Sequence, residues 1–145
     1  MSSDAFVQRG YAQRTMTLTH AGALRIVTGA VAKATAIGVP QCIAVVDPGG
    51  NLLAFVRMDG AKVLSQISAM QKAITAASSR SPTGGTPDDL ALKLALATDG
   101  RVTNLKGGLP IVVDGQCLGA IGVGSGTGDQ DVEVGQAGIA ALEQG

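Results

Sequence analysis

The segment 107–128 is rich in glycine and constrains the fold more than any other part of the chain. It reads GGLPIVVDGQCLGAIGVGSGTG, so 8 of its 22 residues are glycine, against about 7% in an average protein. Aliphatic residues are interspersed with the glycines, which argues against a flexible linker. Asp114-Gly115 suits a type I′ turn, which needs positive φ at both central residues. The segment therefore predicts a β-hairpin whose glycines let a ligand or another backbone approach closely.

Composition excludes several classes of function. The 145 residues are enough for one domain, and 11 basic residues balance 11 acidic ones, so no strong field attracts nucleic acid or a membrane surface. Two Phe, one Tyr and no Trp leave few rings on which bases could stack. No apolar run has the length of a signal peptide or a membrane span. We therefore expect a cytoplasmic protein, with Cys42 and Cys117 as inert thiols.

The sequence predicts a loose arm over 1–16 and a single domain over 17–145. With so few aromatic residues, the core must consist of Ala, Val, Leu and Ile, which pack closely but bury little area each. A protein built in this way gains by burying more surface between subunits. We therefore expect a homo-oligomer.

Hydrophobic periodicity predicts the element order α-β-β-α-α-β-β-β-α. The predicted helices cover 19–37, 61–79, 86–99 with Thr86 as N-cap, and a last one that opens at the capping box Thr127–Gln130. The predicted strands cover 41–47, 52–57, 102–105 and the two arms of the glycine-rich hairpin. Because two hairpins are present, the sheet is expected to be antiparallel.

The helix predicted over 61–79 has two distinct sides. Larger apolar residues follow the helical period and predict the buried stripe: Val63, Ile67, Met70, Ile74 and Ala77. The other side carries small residues that would allow a close neighbour, together with one lysine: Ser65, Ala69, Lys72 and Ala76.

Arg57 and Asp59 lie where a strand ends and a helix is about to begin. An arginine at such a place can bind a carboxylate through two parallel hydrogen bonds, and Asp59 could orient it or exchange protons. Alternatively, Asp59 caps the helix and Arg57 pairs with it. The sequence leaves both interpretations open.

Gly124, Ser125 and Gly126 come just before the N-terminus of the last predicted helix. Free N–H groups and the helix dipole make this turn a candidate anion site. It fits neither a Walker A loop nor a dinucleotide fingerprint, and no base is visible for Ser125. The alternative is an ordinary strand-to-helix turn. In the same way, Lys72 and Lys106 could face an anion or be solvated, and Asp131 could titrate or cap the helix.

His20 is the only histidine of the chain. It is the obvious candidate for a haem ligand, with Met58 and Tyr11 as weaker ones, although each has an ordinary structural explanation. One histidine and two distant cysteines do not make a zinc site, so no metal site is predicted.

The order of motifs resembles the GlcG/HbpS family over residues 17–143. The resemblance rests on VVDPGGNLLAFVRMDGA, a helix with QKAITAA, the segment GGLPIVVDGQCLGAIGVGSG and a final helix with AGIAAL. It implies a profilin-like α/β sandwich of the α+β type, with an antiparallel sheet of about five strands and helices on both faces. It also implies dimers that assemble further, often into octamers. Some relatives bind haem or form the C-terminal domain of PduO-type proteins, whereas a hydrolytic role in catabolism has been proposed for others.

The resemblance also implies which residues line a pocket: Arg57, Asp59, Lys72, Gly107, Gly108, Gly122 and Ser125. The chain departs from many relatives at GVGSG, where they have GVSGG or a similar sequence. This departure puts the role of Ser125 in doubt.

Two functions are compatible with these residues, beside a third interpretation as a structural or chaperone-like accessory protein with a vestigial pocket. The first is a cofactor-free hydrolase or deaminase for a small carboxylate-bearing intermediate of a catabolic, for example aromatic, pathway. In it Arg57 holds the carboxylate, N–H groups over 122–126 stabilise negative charge, and Asp59 or Asp131 activates water. Lys72 adds positive charge or forms a Schiff base. The alternative is a haem-binding or haem-handling protein with His20 as the ligand. In either case the expected partners are a small molecule and further copies of the chain.

Overall fold

The computed structural model describes residues 1–144, and its strands form one antiparallel sheet in the order β2-β1-β4-β3. The strands are β1 (Cys42–Val46), β2 (Leu52–Arg57), β3 (Gly108–Val113) and β4 (Gln116–Gly124). The helices are α1 (Ser3–Gln8), α2 (His20–Ala36), α3 (Ser65–Ser79), α4 (Asp88–Ala97) and α5 (Gly128–Ala140), followed by a 3₁₀ turn (Ala141–Glu143). Of these helices, none has the length and apolarity needed to cross a bilayer.

The two predicted hairpins form the sheet. The β3–β4 turn has φ values of 49° at Asp114 and 75° at Gly115, so the predicted turn with positive φ at both residues is confirmed. β1 lies between β2 and β4, and Cys42 pairs with Arg57 on one side and Gly124 on the other. This register brings the ends of β2 and β4 and the start of β1 to one edge of the sheet.

Helices cover both faces of the sheet, so the predicted α+β sandwich is confirmed. α2 and α5 pack on one face around Ile26, Ile43, Ile121 and Val134. α3 packs on the other face, where small residues of the helix meet small residues of the sheet: Ala69, Ala73 and Ala76 from α3, and Cys42, Ala44 and Ala120 from the strands. Within residues 1–144 the sheet has four strands, one fewer than the expected number of about five.

The missing strand is the one predicted over 102–105, which is a loop in the structure. Side-chain acceptors take up its backbone N–H groups: Val102 donates to Thr98 Oγ1, and Thr103 donates to Thr75 Oγ1. Because these donors are already satisfied, the segment does not join the sheet. The N-cap prediction for α4 was also wrong by one residue, since Pro87 occupies that position and not Thr86.

The buried face of α3 was predicted only in part. Ala77 is buried and Met70 and Ile74 are half-buried as members of the predicted stripe, but Ile67 is 57% exposed and Val63, just before the helix, is 62% exposed. The small residues, Ala69 and Ala73 among them, face the sheet. The reason is the small spacing between α3 and the strands beneath it. A Cβ atom on Gly122 would lie 2.0 Å from the carbonyl oxygen of Ala69, so only small side chains fit between the helix and the sheet.

The arm predicted over 1–16 includes the short helix α1. Arg14 forms an ion pair with Asp4, and the backbone N–H of Met16 donates to Gln116 Oε1 at 3.1 Å. Leu18 N–H then donates to the carbonyl of Leu118, which ties the start of the domain to β4.

Candidate active site

The candidate site is built around a buried ion pair between α3 and α5. Lys72 in the middle of α3 is 4% exposed, and Asp131 in the first turn of α5 is 1% exposed. Lys72 Nζ donates to Asp131 Oδ2 at 2.8 Å and to the carbonyl oxygen of Val123 at 2.7 Å. The pair thus links both helix layers to β4, at the edge of the sheet where β4 ends.

The start of α5 places Asp131. Thr127 caps the helix and forms the predicted capping box with Gln130. This fixes the helix so that Asp131 Oδ1 accepts a hydrogen bond from the N–H of Gly126 at 3.0 Å. The same N–H also donates to Oε1 of the fully buried Gln41 at 3.2 Å. Asp131 therefore organises the turn between β4 and α5 as well as pairing with Lys72.

Burial raises the pKa of Asp131 above its ordinary value. The hydrogen bond and the positive charge of Lys72 oppose this rise, and so does the N–H of Gly126. The Gln41 amide opposes it least. Within residues 1–144, Gln41 Nε2 has no hydrogen-bond partner of normal geometry, so we attribute this effect to its dipole. Two influences therefore compete in setting the pKa of Asp131. Desolvation raises it, the neighbouring donors and the charge of Lys72 lower it, and desolvation is the larger of the two.

A cavity of about 240 Å³ opens beside the ion pair. Lysines, serine hydroxyls and the backbone at the start of α5 dominate its lining: Lys62, Ser65, Ser68, Lys72, Leu105, Lys106, Ser125, Gly126, Gly128 and Asp131. The cavity is smaller than the roughly 300–1,000 Å³ typical of pockets for drug-sized ligands. Its shape and lining suit a small polar molecule.

Ser125 lies in the cavity wall with a strained backbone. Its φ of 96° lies in a region that residues other than glycine seldom adopt, and its Oγ accepts a hydrogen bond from the N–H of Lys62 at 2.9 Å. Ser125 therefore holds the segment before α3 against the end of β4. No histidine lies beside it, so its surroundings are not those of a serine nucleophile activated by a histidine base.

Arg57 and Asp59 lie outside this cavity. Both are exposed, and Arg57 ends the edge strand β2, separated from Gly124 by the width of β1. Among residues 1–144 the two form no ion pair with each other. Asp59 does not cap α3 either, because Leu64 occupies the N-cap without a side-chain hydrogen bond. The structure therefore separates these two candidates from Lys72 and Asp131.

The predicted glycines divide into two groups. Gly126 lines the cavity, as does its neighbour Ser125. Gly107, Gly108, Gly122 and Gly124 do not line it, and a Cβ atom on any of them would meet protein atoms within 3.0 Å, as it also would at Gly126. For these four the atoms belong to α3, Val123 or Asp131, apart from the Thr83 methyl near Gly108. The glycines were expected to let either a ligand or another backbone approach closely. At these four positions it is the backbone and side chains of the protein itself that approach.

Sequence reasoning missed Lys62, Ser65 and Ser68 as residues of the site. A signal was present, because Ser65, Ser68 and Lys72 recur at helical spacing and so share one side of α3. The sequence predicted that small residues on that side would allow a close neighbour, but the buried stripe was expected on the other side. Within the described residues, no cluster of three or more His, Cys, Asp or Glu could hold a metal ion.

His20 lies apart from the cavity. It is the exposed first residue of α2 and is not among the residues that line the cavity beside Lys72 and Asp131. The two weaker haem candidates have packing partners: the Tyr11 ring stands edge-on to Phe6 at 6.2 Å, and Met58 packs against the core.

Comparison with known families identifies the chain. A family model described as haem degrading protein HbpS-like matches residues 18–140. The chain belongs to this HbpS-like family. A 15.0 kDa protein of the dhaT-dhaS intergenic region of Citrobacter freundii is 38% identical over 124 residues, covering 82% of this chain and 87% of the relative. The family predicted from the motifs is therefore confirmed.

Two solved structures share the fold of this HbpS-like chain. A double mutant of HbpS from Streptomyces reticuli superposes with a TM-score of 0.81 at 35% identity, covering 92% of each chain. A complex of PduOC with haem superposes with a TM-score of 0.80 at 27% identity, covering 87% of this chain and 95% of the other. None of these relatives is named as a hydrolase or deaminase, so that function stays a prediction.

Proposed function

We propose that this protein binds or handles haem, with the His20 imidazole as the iron ligand. The observation that carries the proposal is the exposed imidazole of His20, the chain's single histidine, which forms no side-chain hydrogen bond within residues 1–144. A neutral imidazole with a free ring nitrogen is the donor that haem iron takes most commonly in globins and peroxidases. Membership of the HbpS-like family and the haem complex of PduOC support the same function.

The residues around His20 fit a haem bound at the surface. Leu24 follows one helical turn later and is 56% exposed, which offers apolar area on the same side of α2 as the imidazole. Haem would supply the iron chemistry when bound, and the chain would supply the ligand and the surface beside it. The Lys72–Asp131 cavity is a different place, because its volume of about 240 Å³ is too small for a porphyrin.

A haemin titration followed by absorption spectroscopy tests the proposal. We expect saturable binding with a shifted Soret band in the wild-type protein, and its loss in His20→Ala. Tyr11→Phe is the matched control, since it keeps the ring contact with Phe6 and removes only the other oxygen ligand. Equal, non-saturating uptake by wild type and His20→Ala would contradict the role of His20.

We further propose that the predicted homo-oligomer, of dimer to octamer size, forms through the outer face of α3. Ile67 is exposed on this face, next to the exposed Val63 and Leu64 that precede the helix, and the only charged residue of α3, Lys72, is buried on its inner side. A helix surface without charge is unusual next to water and fits a second copy of itself.

Changing Ile67 to Glu tests this interface. Light scattering coupled to size-exclusion chromatography is expected to show a smaller assembly for Ile67→Glu than for the wild type, because a carboxylate buried in an apolar contact is costly. Thr28→Glu adds the same charge to the exposed side of α2 and is expected to leave the mass unchanged. A wild-type monomer, or an unchanged mass for Ile67→Glu, would contradict the proposal.

A further inference from the structure

We propose that the cavity beside Lys72 and Asp131 is a second binding site, which takes a small organic carboxylate carrying an additional oxygen acceptor. It is separate from the proposed haem surface at His20. The cavity has an excess of positive charge in its lining, hydrogen-bond donors without a protein acceptor, and a small volume.

Positive charge exceeds negative charge around the cavity. Lys62, Lys72 and Lys106 line it, and Asp131 is the only carboxylate among the lining residues. Lys106 also reaches the exposed Asp129 at 3.2 Å, a pair that solvent screens. Lys62 forms no ion pair within residues 1–144. The three lysines and the two carboxylates, those of Asp131 and Asp129, give a net charge of +1 around the cavity. This charge favours an anion.

Besides the exposed lysines and the serine hydroxyls, two donors of the cavity wall remain for such a ligand. Lys72 has three N–H groups, and Asp131 and the Val123 carbonyl use two of them. The backbone N–H of Gly128, the first residue of α5, has no partner within the helix, and the positive end of the helix dipole lies there. The cavity therefore offers one donor on a buried cation and one at a helix terminus.

These donors define the class of ligand. The exposed lysines and the start of α5 suit a carboxylate. The charge of Lys72 is already compensated by Asp131, so its remaining N–H suits an uncharged oxygen, such as the hydroxyl or keto group of a hydroxy or oxo acid. A volume of about 240 Å³ limits the ligand to a small molecule.

Pyruvate is the probe, and chemical shifts of the ¹⁵N-labelled protein are the readout. We expect saturable shifts at the amides of Gly126 and Gly128, and weaker binding of acetate and of inorganic phosphate. Lys62→Gln/Lys106→Gln removes two exposed charges without touching the core, and is expected to weaken pyruvate binding about tenfold or more. Lys33→Gln/Lys93→Gln removes the same charge away from the cavity and is expected to bind pyruvate as the wild type does.

Several results would overturn this inference. They are the absence of shifts at Gly126 and Gly128, equal or tighter binding of phosphate, and equal affinity for pyruvate in the two double variants. His20→Ala is expected to bind pyruvate normally, so failure of the haem proposal and failure of this one are distinguishable. Loss of pyruvate binding in His20→Ala would contradict the separation of the two sites.

Discussion

Lys72→Met is expected to lower the free energy of unfolding by about 3–5 kcal/mol at neutral pH, measured by urea denaturation. Methionine keeps the length and apolar stem of the lysine but removes its charge. Asp131, which is 1% exposed, is then left buried without its cation. Lys106→Met is the matched control, because its pair with Asp129 is exposed and is expected to contribute at most about 1 kcal/mol.

The loss in Lys72→Met is expected to shrink as the pH falls. Without Lys72 the main influence that lowers the pKa of Asp131 is gone, and burial, which raises it, remains. A carboxyl whose folded pKa lies above the unfolded value of about 3.9 contributes its full stability below that value, and the contribution is lost as the pH rises through the folded pKa. The deficit against wild type is therefore largest at neutral pH and smaller in acid.

The double variant Lys72→Met/Asp131→Leu distinguishes two contributions to the free energy of unfolding. One is the cost of leaving the Asp131 carboxylate buried without a cation, and the other is the stabilisation by the ion pair itself. Replacing both partners of a buried pair by apolar residues is often neutral or stabilising. The double variant is therefore expected to be more stable than Lys72→Met alone. A double variant less stable than the single one, or a single variant as stable as the wild type, would contradict this account of the pair.

Gly122→Ala is expected to destabilise the fold by about 3 kcal/mol or more. A Cβ atom there would lie 2.0 Å from the carbonyl oxygen of Ala69 and 2.4 Å from the nitrogen of Ala73. Both are backbone atoms of α3, so the whole helix must move away from the sheet, and overpacking of this kind costs about 1–3 kcal/mol, occasionally more. Thermal and urea unfolding measure the loss.

Gly85→Ala is the control for Gly122→Ala. No protein atom lies within 4 Å of a Cβ atom at Gly85, so the change is expected to stay within about 0.5 kcal/mol of wild type or to stabilise slightly. If Gly122→Ala proved as mild as Gly85→Ala, the close contact between α3 and β4 would be wrong.

The sequence predicts most of the elements but not the orientation of α3. Helix α2, the two hairpins and the capping box at Thr127 carry local signals that tertiary contacts do not override. Helix α3 departs from the rule that the larger apolar residues face the core. Gly108 and Gly122 lie so close to its backbone that a Cβ atom on either would meet backbone atoms of α3 within 2.4 Å, so the helix turns mainly small residues toward the sheet. Periodicity along one segment cannot report how close another segment lies, and this spacing decides which face is buried.

Part of the candidate site was predictable and part was not. Lys72 and Asp131 were both candidates, but 59 residues separate them, and no local pattern indicates that they meet. Arg57 has the chemistry of a carboxylate clamp, yet the sheet register places it on the far side of β1 from Gly124. Residue type indicates what a side chain can do, whereas strand order decides which side chains can do it together.

The most direct test of haem binding at His20 is the ¹⁵N NMR spectrum of its imidazole ring. Because the chain has one histidine, the ring signals belong to His20 without further assignment. One equivalent of haemin is expected to broaden or shift these signals strongly, because paramagnetic iron would then be bonded to the ring. Ring signals that stay unchanged while the Soret band shows haemin bound would place the haem elsewhere and contradict the proposed function.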